Sequence, residues 1–155
     1  MGAFDNLYNL SDAQAITAAA ASSNYCDMVA TKPQIGVGKT LMLCIRTAVA
    51  PTQATDTLSI EVQVDDNSSF TSAKTVFMPL VGAAGAEVLA SDARLDTAGD
   101  WIWRACLPYG INERYLRLYY NNTTTVGTFT IDAWLEEVAQ SDLGEQVFVS
   151  NVGNP

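Results

Sequence analysis

Gly38-Lys39-Thr40 has the ending of a phosphate-binding loop, in which backbone N–H groups and a lysine cradle a phosphate. The full pattern needs a glycine five positions before Gly38, where this chain has Pro33. It also needs a helix next, with its N-terminus aimed at the phosphate, but Leu41–Thr47 alternates as a strand does. The spacing therefore predicts a plain turn before a strand. Asp65, Asn67 and Ser69 stand at positions one, three and five of a calcium loop. Phe70 replaces the sharp-turn glycine and Val76 the bidentate glutamate, so a hydrogen-bonded turn is expected.

Paired carboxylates are the next candidates. Asp65-Asp66 and Glu136-Glu137 are adjacent, and neighbours on a strand point to opposite faces. Asp132 and Glu136 share a face, but four strand residues separate their backbones by about 13 Å. Glycoside hydrolysis wants carboxyl groups roughly 5–9.5 Å apart. The chain has no histidine, which removes Ser-His-Asp and Cys-His catalysis and every histidine-containing zinc site. Cys26, Cys44 and Cys106 form no Cys-x-x-Cys and cannot make a closed disulfide framework, so they read as small buried side chains of a reduced, intracellular protein. No catalytic residue, cofactor or metal is expected, and the chain reads as not being an enzyme.

Charge narrows the partners. Eight basic residues against 17 acidic ones leave a net charge of −9. That balance lacks the basic footprint that binds nucleic acid or an anionic membrane surface. The N-terminus has no basic segment followed by an apolar run, so it reads as no signal peptide. No apolar stretch reaches the 18 residues that mark a transmembrane helix. Without a secretory signal, the glycosylation-like triplets at Asn67, Asn121 and Asn122 are polar turns.

The positioning elements are strands. Leu41, Leu43 and Ile45 alternate with Met42, Cys44 and Arg46, which predicts a strand buried on both faces. Leu58, Ile60, Val62 and Val64 alternate with Ser59, Glu61, Gln63 and Asp65, which predicts one face on the core and one in water. Further strands are expected at Thr75–Met78 (stopping at Pro79), Glu87–Ala90, Trp101–Leu107, Arg114–Tyr120 and Thr128–Val138. Ala13–Ala21 has helix propensity but no broad apolar stripe, so an extended arm lying on a neighbour is the competing reading. At 155 residues this is one domain. Its expected architecture is an all-β sandwich, jelly roll or barrel of about seven or eight short strands. An arm over residues 1–34 precedes a core over 35–138, and a tail follows over 139–155.

Alternation also nominates a surface. Tyr115, Arg117 and Tyr119 lie opposite Leu116 and Leu118, and Trp134 lies opposite Phe129, Ile131, Ala133 and Leu135. Tyrosine, tryptophan and arginine on an otherwise polar face are enriched in interface hot spots. The competing reading is a second buried face. Trp101 and Trp103 share a face by the same count and are expected in the core, with a sugar-stacking platform as the rival. Phe4, Leu7 and Tyr8 complete the candidate interface set, and residues 1–12 are expected to bind a partner and to be dispensable for folding.

Five segments together resemble the capsid cement (decoration) proteins of tailed bacteriophages. They are LSDAQAITAAAASSNYCDM from Leu10, IGVGK from Ile35, EVQVDDNSSFTSAKTV from Glu61, LPYGINERYLRLYY from Leu107 and GTFTIDAWL from Gly127. The resemblance covers roughly residues 4–138 and lies in the order and spacing of the five pieces. It implies a β-sandwich of jelly-roll type. It implies homotrimers on the outer surface of the virion head, near its three-fold axes, after synthesis in the host cytoplasm. Their partners would be the major capsid protein and the chain itself, and their role the bridging of capsid subunits against the pressure of packaged DNA. The rival class is a carbohydrate-binding module or a tail or receptor-binding domain.

Overall fold

The computed structural model describes residues 8–29, 39–53, 55–108, 111–123 and 129–139. Seven longer strands are present: β1 (Asn9–Ile16), β4 (Lys39–Val49), β5 (Thr57–Asp65), β6 (Lys74–Leu80), β8 (Trp101–Cys106), β9 (Tyr115–Asn121) and β10 (Phe129–Ala139). Three two-residue strands complete the set: β2 (Ala20–Ala21), β3 (Cys26–Asp27) and β7 (Val88–Leu89). The front sheet has the order β1-β10-β4-β8. The back sheet has the order β2-β9-β5-β6, with β3 also on β9 and β7 on β5. Every pairing is antiparallel. The protein is an all-β sandwich, as its two-residue periodicity predicts.

One apolar cluster lies between the sheets. The front sheet supplies Leu41, Leu43 and Ile45 of β4 with Phe129, Ile131, Ala133 and Leu135 of β10. The back sheet supplies Leu58, Ile60, Val62 and Val64 of β5 with Leu116, Leu118 and Tyr120 of β9. These are the residues that alternation turns inward. Each large side chain buried there contributes about 1.5–3 kcal/mol. Met42 and Cys44 are buried too, so β4 is covered on both faces as expected.

Four local outcomes differ from the sequence reading. Ala13–Ala21 is not helical. β1 takes its first part, and Ala13 adopts φ 45° where the register with β10 shifts. Ala13 N–H leaves the ladder and donates to Asp132 Oδ1 at 2.8 Å. The described part of the segment read as an arm, residues 8–29, belongs to both sheets through β1, β2 and β3. Leu10 is fully buried, and Ser11 meets the Tyr120 hydroxyl at 2.7 Å across the sandwich. Pro79 does not end β6, because β6 is an edge strand and an edge tolerates a missing N–H. Finally, Ser59 and Asp65 of β5 are buried although they lie on the outward face.

Trp101 and Trp103 do not share a face. The pairing steps from Ile45↔Trp103 to Arg46↔Trp101, so one residue of β4 faces two of β8. This β-bulge turns Trp101 outward and leaves Ile102 and Trp103 inward. Trp103 packs against Phe77 with centroids 5.7 Å apart. Trp101 is 43% exposed, which corrects the expectation that it is core.

Candidate functional site

The sandwich carries an aromatic and arginine-bearing surface on each outward face. On the back sheet, the pairings Asp65↔Tyr115, Gln63↔Arg117 and Glu61↔Tyr119 set these side chains in one row. Arg117 donates to Gln63 Oε1 at 3.0 and 2.9 Å. Its guanidinium lies 4.2 Å from the Phe70 ring centroid and 5.7 Å from that of Tyr119. Tyr25 meets Tyr115 edge-on at 5.5 Å and Phe70 at 6.1 Å. Arg114 stacks on Tyr115 at 4.9 Å and pairs with both oxygens of Asp27. Burial pushes the Arg117 pKa below its usual value.

Phe70 is brought to this row by the turn after β5. Asn67 N–H and Ser72 N–H donate to the Asp65 carboxylate, and Ser69 N–H donates to Asn67 Oδ1. Burial raises the Asp65 pKa, and these backbone donors outweigh it and hold the group below its usual value. The loop thus spends Asp65 on its own backbone. Phe70 leaves the turn at φ 50°, and its ring is buried.

On the front sheet, the pairings Asp132↔Arg46↔Trp101 and Trp134↔Cys44↔Arg104 lay a second surface across β10, β4 and β8. Trp101 and Trp134 lie 5.7 Å apart. Arg46 sits 5.6 Å from the Trp134 centroid and bridges to Asp132 at 2.8 Å. Arg104 sits 5.2 Å from the Trp101 centroid. Such exposed cation–π contacts contribute about 0.5–1 kcal/mol each. Beneath them, burial and the Glu136 carboxylate push the Cys44 thiol up to about 11.

The structure thus brings Tyr115, Arg117 and Tyr119 together and places Trp134 on the other side of the sandwich. Tyr8 is half-buried: its hydroxyl donates to Glu137 Oε1 at 2.7 Å and its carbonyl accepts from Leu135 N–H at 2.8 Å. Phe4 and Leu7 lie outside the described residues. Alternation missed Tyr25 and Phe70, which stand outside the long strands. It missed Trp101 because no sequence signal marks the bulge.

The motifs weighed for chemistry are absorbed by structure. β4 begins at Lys39, so a strand and not a helix follows Gly38-Lys39-Thr40. Asp132 is held by Arg46 and Ala13 N–H, and Glu136 faces the Cys44 thiol. Among the described residues no cluster of three metal-ligating side chains occurs. A model of the Bbp16 family matches residues 10–134, from β1 into β10. No curated protein matches the chain.

Proposed function

The chain belongs to the Bbp16 family, and we propose that it is a non-enzymatic cement (decoration) protein of a phage capsid. In this reading the sandwich is of jelly-roll type and assembles as a homotrimer. It binds the outside of the head near three-fold axes and bridges major capsid protein subunits. The observation that carries the reading is the pair of aromatic and arginine-bearing surfaces on opposite faces of one sandwich. A rigid body with two such surfaces touches two neighbours at once, which bridging requires. A trimer engages several capsid subunits together, so modest contacts multiply by avidity. A net charge of −9 suits an outer surface and not contact with packaged DNA or membrane.

Two measurements test the reading. Light scattering of the purified protein is expected to give three times the 16.6 kDa protomer mass. Added to expanded capsids that lack it, the protein is expected to co-sediment with them. Arg117→Glu and Trp134→Ala are expected to lower trimer mass or capsid binding; if both are unchanged in both variants, these surfaces are not the contacts. The exposure of Trp101 beside Trp134 favours one second reading, a carbohydrate-binding or receptor-binding domain. Glycan binding by a well-folded monomer, without capsid binding, would select it.

A further inference from the structure

Two places on the surface carry charged side chains of opposite sign. The first is the knob on the front sheet formed by Trp101 and Arg104. Trp101 is 43% exposed, and the Arg104 guanidinium lies over its ring. Arg104 and Glu136 both reach the Cys44 thiol, and among the described residues Arg104 makes no direct ion pair. The exposed guanidinium thus has donors to offer an acidic partner.

The second is an open hollow of about 470 Å³ on the back sheet, lined by Ser59, Glu61, Met78, Glu87, Asn121 and Thr123 among others. Glu61 accepts from Thr75 and Gln63 on one oxygen and from Asn121 on the other. Glu87 accepts from Thr57, and from the backbone and hydroxyl of Thr123 at 3.2 and 3.0 Å. Every one of these donors is neutral, and neither glutamate meets a cation among the described residues. Burial raises the Glu61 pKa, but its three donors outweigh that and hold the group below its usual value. The hollow therefore gathers two glutamate carboxyl groups beside the apolar Met78.

Knob and hollow match in chemistry, a ring and a guanidinium against an apolar wall and two carboxylates. They lie on opposite faces of the sandwich, so one protomer cannot join its own. We propose that the Trp101–Arg104 knob of one copy docks in the Glu61–Glu87 hollow of the next copy, head to tail. A contact between two different patches is heterologous, and it propagates until a ring closes. That the ring closes at three copies rests on the cement reading above.

The test is charge reversal read by light scattering. Arg104→Glu and Glu87→Lys are each expected to weaken self-association by about tenfold or more. Mixing the two variants is expected to raise the mass above that of either alone, because each knob then meets a complementary hollow on the other variant; a ring of three keeps one contact between like variants, so the recovery is expected to be partial. Circular dichroism checks that each variant is folded; if Arg104→Glu is not, Arg104→Gln replaces it and is read for loss of mass alone, without mixing. A wild-type monomer, wild-type mass in both variants, or no recovery on mixing folded variants overturns the contact. Capsid co-sedimentation separates the two claims. A wild-type protein that binds capsids, with Arg104→Glu at full mass, removes this contact and keeps the cement reading. A wild-type protein that binds no capsids, with mass lost on reversal and partly regained on mixing, keeps the contact and removes the cement reading.

Discussion

Deleting residues 1–12 tests whether the start of the chain is a free arm. Alternation placed no core position there, yet Leu10 is fully buried and Ser11 nearly so. Truncating a fully buried leucine to alanine costs about 2–5 kcal/mol. The deletion also removes the Ser11–Tyr120 hydrogen bond, the Tyr8 carbonyl that accepts from Leu135 N–H and the Leu10 carbonyl that accepts from Asn24 N–H. Each such bond is worth about 0.5–1.5 kcal/mol net. Even the low end of these ranges gives about 3–4 kcal/mol, against a total stability of about 5–15 kcal/mol for a domain. In equilibrium urea unfolding the midpoint is expected to fall by about 1 M or more. Leu10→Ala alone is expected to account for about half the loss or more. If the deleted chain unfolds at the same urea concentration as the intact one, β1 does not hold the sandwich together. Residues up to 12 would then be an arm, as the sequence alone suggested.

Tyr120→Phe is expected to lose about 1 kcal/mol, or about 2–4 °C in Tm, by removing the bond that joins β9 to β1 across the core. A double-mutant cycle with Ser11→Ala checks this, and a coupling below about 0.3 kcal/mol would contradict it. Hydrogen bonds from Arg94 hold the Asp92 carboxyl at about 2, below its ordinary 3.8. Its stabilising contribution is therefore complete above the ordinary value and is lost as pH falls toward about 2. Asp92→Asn is expected to flatten the loss of urea midpoint below about pH 4, and an unchanged slope refutes this. With its pKa near 11, the Cys44 thiol is roughly one part in a thousand thiolate at pH 8. It is expected to react with a thiol reagent only on unfolding, while half-buried Cys106 reacts in the folded protein. Mass spectrometry of the labelled chain assigns the site.

The long strands were legible because their side chains alternate with period two and one face must leave water. Leu58, Ile60, Val62 and Val64 on β5, and Leu116, Leu118 and Tyr120 on β9, turn inward as alternation requires. The outward row of Tyr115, Arg117 and Tyr119 was legible for the same reason. Alternation assigns a face within one strand only. It does not say which strands lie side by side, so it could not place Trp134 on the opposite side of the sandwich from that row. Nor could it see the bulge that separates Trp101 from Trp103, because an extra residue in a strand depends on the partner strand.

By itself, the sequence determined the class of protein: all-β, acidic, without histidine chemistry, with an inward apolar set and an outward aromatic one. These follow from side-chain identity and from local period, which need no knowledge of neighbours. Only the tertiary structure decided that β1 is core and that Phe70 and Tyr25 join Arg117. It alone decided that Arg104, Glu61 and Glu87 make no direct ion pair among the described residues. Each of these depends on which residues meet across long separations in the chain. The cross-sheet Ser11–Tyr120 bond, for example, joins positions 109 residues apart. Pairing at that range is selected by burial and hydrogen-bond satisfaction over the whole sandwich, and no local window contains it.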